Sequence, residues 1–393
     1  MRKDYLQAAL LAAGMMLQAP TTLAQSTAAT EPPVAKAPMA KAPMAKPAAP
    51  AATPAMPTMP VTPATPATTV APTAAQPMAP DVGQAQPVTA TAEAATGQAA
   101  NDAGMKNVVG PGSKGAAVLR AQILLDRANF APGEIDGSFG GNMARAISGF
   151  QAGAGLPATG RVDAATWAAL NKDAAPVLVR YATSEADVAG PFNAIPADMM
   201  EKSKLPALGY TSALEGLAEK FHASPKLLQK LNPMASFSSA GESLIVPSVA
   251  DATPIGAVDK VVVDKSEHTV ALLDSAGKTL AQFPASTGSV HDPLPIGAWK
   301  ILGVARNPSF NYNPALFWDA NPTHGKAKIP AGPNNPVGVV WVDLSKPHYG
   351  IHGTPEPSKI GKTESHGCIR LTNWNAQVLA KHAKPGMTAL LQE

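Results

Sequence analysis

Cysteine occurs once in the 393 residues, so no disulfide can form within the chain. The lone thiol, Cys368, has no CxxC partner and the chain has no HExxH segment, which removes the common zinc arrangements. Net charge is also scarce. Thirty-one basic against twenty-eight acidic side chains leave +3, too little to point to a nucleic-acid partner. Long apolar runs are missing too, and the stretch at 6–17 is too short to span a membrane. Placed after Met1-Arg2-Lys3 and before Thr22-Leu23-Ala24, that stretch reads as a secretory signal over 1–24, cleaved ahead of Gln25. Retention as an anchor is the alternative. No cysteine stands directly after the signal, where Gln25 lies, which argues against a lipid anchor. After cleavage no stable membrane span is expected.

From 25 to 104 the chain is alanine, proline and threonine with scattered methionine, and Ala35-Lys36-Ala37-Pro38-Met39 is repeated as Ala40-Lys41-Ala42-Pro43-Met44. Too few aromatic or branched residues stand here to offset the entropy of ordering, and proline favours extended polyproline II. A disordered spacer is expected.

Periodicity then sets in. Over 105–173, Val118, Leu119, Ile123 and Leu125 mark one helix, and Met143, Ala146, Ile147 and Phe150 recur at i, i+3, i+4, i+7 on a second. Trp167 and Leu170 mark a third helix after an Asp163 cap. Over 205–250, Leu214, Leu217, Ala218 and Phe221 are helically spaced. Ser224-Pro225 then caps and opens another helix, and Leu244-Ile245-Val246 makes a closing strand, giving a βααβ unit. From 257 to 393 the pattern is mostly strand. Val261–Val263, Thr269–Leu273 and Thr279–Phe283 are separated by turns such as Asp274-Ser275-Ala276-Gly277, which predicts a sandwich or barrel. The segment 305–336 is long for a plain connection and suits a cleft or lid.

The chemistry gathers around Cys368, in Ser365-His366-Gly367-Cys368-Ile369-Arg370, with His352-Gly353 sixteen positions upstream. A thiol attacks as thiolate, so at neutral pH it needs a base or a positive field beside it, and two histidines are on offer. Glycine at 367 leaves room for an approaching carbonyl, and amides around the turn suit the charge of a tetrahedral intermediate. Acyl transfer through a thioester is the chemistry this implies. If 368–371 run extended, Cys368 and Arg370 share one face while Ile369 and Leu371 point to the core. The guanidinium then suits a substrate carboxylate, or a structural partner within the domain. An inert buried cysteine, or a metal held by His352, His366 and Cys368, are the competing readings. Neither fits the pattern as well, and no metal or other cofactor is expected.

These residues resemble the catalytic motif of the L,D-transpeptidases, cysteine enzymes that remodel bacterial peptidoglycan. The resemblance rests on Ile351-His352-Gly353-Thr354, on the 365–370 segment, on Ser286-Thr287-Gly288, on Pro295-Ile296-Gly297, and on Ile329 to Pro336. It implies an all-β catalytic domain over 257–393 and export to the periplasm. It also implies that His352 takes the thiol proton, oriented by the Gly353 carbonyl, in an imidazolium–thiolate pair that holds the thiol pKa well below 8.5. His366, Gly367 and Cys368 supply oxyanion amides, and Arg370, Ser365 and Tyr349 contact substrate. The region 105–173 resembles a small helical peptidoglycan-binding domain through Asp136 to Gly140, Phe150-Gln151, Gly155-Leu156 and Thr166-Trp167. The 205–250 unit is similar to a degenerate LysM module through Tyr210-Thr211 and Leu231-Asn232-Pro233, with Ser212-Ala213-Leu214 in place of the usual Gly-Asp-Thr-Leu turn. The implied partner is peptidoglycan as donor, with a second stem peptide, an outer-membrane protein lysine or a free D-amino acid as acceptor. Hydrolysis by a carboxypeptidase or wall-protein-releasing enzyme, and a non-catalytic wall-binding protein, are the alternatives.

Overall fold

Alanine, leucine and isoleucine at helical spacing build the first part of the fold, in a computed structural model that describes residues 86–87, 94–250 and 252–393. The expected signal at 1–24 and nearly all of the spacer lie outside the described residues. Helices α1 (Ala94–Asn101), α2 (Ala116–Arg127), α3 (Gly141–Gly153) and α4 (Ala164–Leu170) make the helical unit. Val118, Leu119, Ile123, Leu125, Met143, Ala146, Ile147, Trp167 and Leu170 are all buried in its core. The Asp163 carboxylate accepts the Thr166 amide at 2.8 Å and caps α4.

Helix α1 corrects the expected end of the spacer at 104. Alanine is the best helix former, and Ala100 is buried in the same core. Asn101 accepts the Val177 and Leu178 amides at 2.8 and 2.9 Å, so the helical unit includes residues about ten positions ahead of its expected start.

A three-stranded sheet follows, with β1 (Gln86–Pro87), β2 (Leu178–Ala182) and β3 (Ser243–Pro247) in that order. Two short helices, α5 (Glu185–Val188) and α6 (Met199–Lys202), lead to α7 (Ala213–Lys220) and α8 (Pro225–Leu231). Ser212 caps α7, and Ser224 caps α8 with Pro225 in its first turn. The first strand of the βααβ unit is therefore β2, which lies outside 205–250. The intervening 183–212 separates it from the helices whose periodicity announces the unit. This unit and the helical unit share one hydrophobic core, so they are one packed body.

The remaining strands are β4 (Lys260–Asp264), β5 (Thr269–Leu273), β6 (Thr279–Pro284), β7 (Gly297–Arg306), β8 (Phe310–Tyr312), β9 (Ala327–Ile329), β10 (Val340–Leu344), β11 (Gly350–His352), β12 (Ile369–Arg370) and β13 (Thr388–Gln392), with α9 (Asn373–His382) packed among them. Eight of them form one sheet in the order β12-β11-β10-β7-β13-β4-β5-β6. Alternate residues such as Val261, Val263, Val270, Leu272, Val340, Val342, Ala389 and Leu391 fill the core. Beyond β6 the chain returns to β12 through bridges Ser286–Arg370 and Gly288–Ser365, so the sheet curls until its two ends meet. The outer side of β6 is covered as well: Ala131 donates to the Gln282 carbonyl at 2.9 Å, and the Gln282 amide donates to Asn129 at 2.8 Å. An exposed edge strand invites pairing with other chains, and here the helical unit occupies it. Among the described residues, no helix is long and apolar enough to cross a membrane.

Candidate active site

Strands β11 and β12 run parallel, with Ile351 opposite Ile369 and His352 opposite Arg370. Paired residues share a face and side chains alternate, so His352, Cys368 and Arg370 project to one side while Ile351, Ile369 and Leu371 enter the core. The Leu371 amide donates to the His352 carbonyl at 2.8 Å, and the Arg370 amide to Ser286 at 2.8 Å, which fixes β12 on both sides.

His352 is buried, and its Nδ1–H donates to the Gly353 carbonyl at 2.7 Å. With the proton on Nδ1, Nε2 keeps its lone pair and acts as an acceptor. The Trp341 ring stacks on the imidazole at 5.5 Å, and it reaches that position because residue 350 is glycine: a Cβ there would stand 2.5 Å from the indole. Burial pulls the His352 pKa down to about 4, against the Gly353 bond and with added push from Arg370.

The Cys368 thiol is half-buried and donates to the His348 carbonyl at 3.6 Å. Burial pushes it up to about 11, outweighing a backbone hydrogen bond at Gly350 and the charge of Arg370. Burial thus works against the imidazolium–thiolate pair expected from the motif. Desolvation disfavours both ions and favours a neutral thiol beside a neutral imidazole.

Gly367 has φ near +97°, and a Cβ on it would meet Tyr349 Cε1 at 2.8 Å, so glycine lets the turn lie against that ring. Ser365 shapes the same turn, with Oγ donating to the Cys368 carbonyl at 2.5 Å and its amide to Thr287 at 2.8 Å. Arg370 donates to the Glu364 carbonyl, while its buried Nε–H has no partner among the described residues.

His366 points elsewhere. Its Nε2 meets Asp319 at 2.9 Å, and its ring stands edge-on to Phe317 at 5.3 Å and 6.1 Å from Trp318. Trp318 stacks in turn on His291 at 4.5 Å. Phe317 and Trp318 belong to the long segment between β7 and β10, which forms the β8–β9 hairpin and its tip. The tip is tied down by Tyr312 to His324 at 3.1 Å and His324 to Asp198 at 2.8 Å. Trp341, Asp319, Phe317, Trp318 and His291 carry no motif. Only Phe317, Trp318 and Asp319 have a sequence signal, as aromatic and acidic residues within an overlong loop, since Trp341 lies on β10 and His291 precedes β7.

Known proteins share this combination. A family profile described as YkuD, "L,D-transpeptidase catalytic domain", matches residues 259–390, and one described as "Putative peptidoglycan binding domain" matches 114–170. The "Putative L,D-transpeptidase YkuD" of Bacillus subtilis is 30% identical over 168 residues, covering 42% of this chain and 85% of that protein. The chain belongs to the L,D-transpeptidase family. The Bacillus licheniformis protein of the same description is 31% identical over 169 residues, covering 42% of this L,D-transpeptidase and 86% of the relative. A solved L,D-transpeptidase from Xylanimonas cellulosilytica is 16% identical over 71% of this chain and 95% of its own, at a TM-score of 0.32, a likeness too loose to bear on the site. This L,D-transpeptidase thus carries a catalytic domain behind a peptidoglycan-binding domain.

Proposed function

We propose that this enzyme transfers a peptidoglycan stem-peptide acyl group to an amine through a thioester on Cys368. The observation that carries this is the shared face of β11 and β12, with the His352 Nδ1–H held by Gly353 and Nε2 left basic. Neutral His352 takes the thiol proton on Nε2 as Sγ bonds to the carbonyl joining the third, diamino acid residue to the terminal D-alanine. Negative charge moves to the carbonyl oxygen and is received by amides of His366, Gly367 and Cys368. The imidazolium then gives its proton to the departing amine, the C–N bond breaks, and the thioester remains. An acceptor amine attacks that thioester, losing its proton to His352, and sulfur leaves and regains a proton. Arg370, with a free Nε–H beside the thiol, suits the carboxylate of the donor, and Ser365 and Tyr349 hold the turn against which it lies. No step calls for a cofactor.

The helical domain would hold the enzyme at the wall in the periplasm, and the βααβ unit would act as a degenerate LysM-like module. The His366, Asp319 and Trp318 cluster would line the acceptor side. Mass spectrometry of digested peptidoglycan from cells with and without the protein tests the reaction. Loss of cross-links between two diamino acids, or of wall-attached protein, is expected on deletion. Identical digests would contradict the assignment.

A further inference from the structure

Among the contacts of the βααβ unit with the catalytic domain, one carboxylate leads to the His352 backbone. Glu219, on α7, receives Asn373 Nδ2 on both of its oxygens at 3.1 Å, and the Tyr210 hydroxyl donates to Oε1 at 3.1 Å. Asn373 is fully buried, and the same Nδ2 also reaches the Pro333 carbonyl at 3.2 Å. Its Oδ1 accepts the Val339 amide at 3.1 Å. A carboxylate on one side and an N–H on the other allow only one orientation of that amide. Asn373 Oδ1 is in turn packed so closely on the backbone of Gly338 and Gly353 that a Cβ at either would overlap it. Gly353 bears the carbonyl that holds His352.

The carboxylate is kept at a cost. Burial raises the Glu219 pKa to about 7, opposed by the hydrogen bonds from Asn373 and Tyr210 and by His222, and reinforced by Glu215. His222, at the C-terminal end of α7, stacks on Trp374 at 5.1 Å and contacts Asp126 at 2.8 Å, while Glu215 receives Asn334 at 2.9 Å. A carboxylate needed only to fasten two domains would do so more cheaply as a neutral amide.

We propose that Glu219 is a positioning residue for the acyl-transfer site, fixing Asn373, through it the Gly353 backbone, and through that the tautomer and aim of His352. This rests on Cys368 and His352 being nucleophile and base. The ionised carboxylate is the competent form, because both oxygens are then acceptors. Since His352 titrates near 4 and Cys368 near 11, an inflection between them is open to assignment by substitution.

The test is the rate at which a carbapenem acylates Cys368 of the full chain, followed by intact mass from about pH 5.5 to about pH 8.5. The parent rate should rise with pH through an inflection near 7. In Glu219→Gln the inflection should vanish and the rate at high pH fall about tenfold, with melting no lower than the parent's. Tyr210→Phe, which removes a bond favouring the ionised form, should move the inflection upward. An unchanged profile in Glu219→Gln, or an inflection that survives it, overturns the proposal. Should that variant not fold, an unmoved inflection in Tyr210→Phe does so. A parent protein that forms no adduct overturns the cysteine assignment and this proposal with it, whereas normal acylation in Glu219→Gln overturns this proposal alone.

Discussion

Burial disfavours the charged form of both residues at the centre. The motif offers Cys368 and His352 as candidate nucleophile and base, because a thiol flanked by glycine and histidine has few other uses. Their charge state was not legible. Spacing suggests an ion pair, yet desolvation drives the thiol to about 11 and the imidazole to about 4, and no local pattern records how deeply β11 and β12 are covered. The sign follows directly: thiolate is the reactive form and its population grows as pH approaches the raised pKa. Alkylation of the free enzyme by iodoacetamide should therefore rise about tenfold per pH unit from about 8 to about 10. His352→Ala should leave that rise in place while abolishing acylation by donor. A plateau below pH 8 would mean that the ion pair exists at rest. Glu219 and Asn373 were equally hidden, since contacts between positions 154 apart leave no trace in one sequence.

Elements were more legible than their boundaries. Strands β4, β5 and β6 and helices α2, α3, α4, α7 and α8 fall where apolar periodicity and caps put them, because their apolar positions recur at the strand or helix period. Strand β2 escaped because five residues ahead of an insertion carry little periodicity, and α1 escaped because alanine-rich sequence reads alike in a spacer and a helix. Length alone set the overlong loop apart from a plain connection, and its hairpin places Trp318 between His291 and His366. Trp318 is exposed and packs on His291 and His366, so its removal should spare the first half-reaction. Trp318→Ala is expected to leave single-turnover acylation within about twofold and to slow transfer to an acceptor amine about tenfold, since only acceptor positioning is lost. Equal slowing of both steps, measured by quenched-flow mass analysis, would place the tryptophan on the donor side.

For the whole molecule, sequence suggested modules on a string, and the described residues form something tighter. A shared core joins the helical and βααβ units, the helical unit covers the β6 edge, and Asn142 donates to the Ile360 carbonyl at 2.8 Å in the loop that leads to Ser365. Such packing arises from side chains that each unit needs anyway, which is why composition cannot announce it. The catalytic domain is thus presented with its accessory domains in a fixed arrangement, and the claim on which all of this depends is that Cys368 is the acylated atom. Intact-protein mass after incubation with a carbapenem, whose strained acyl group mimics the donor, tests it most directly. The full chain should gain the mass of one drug, located on Cys368 and absent from Cys368→Ala and His352→Ala. An unmodified mass after prolonged incubation with active drug, or an adduct that survives Cys368→Ala, would contradict it.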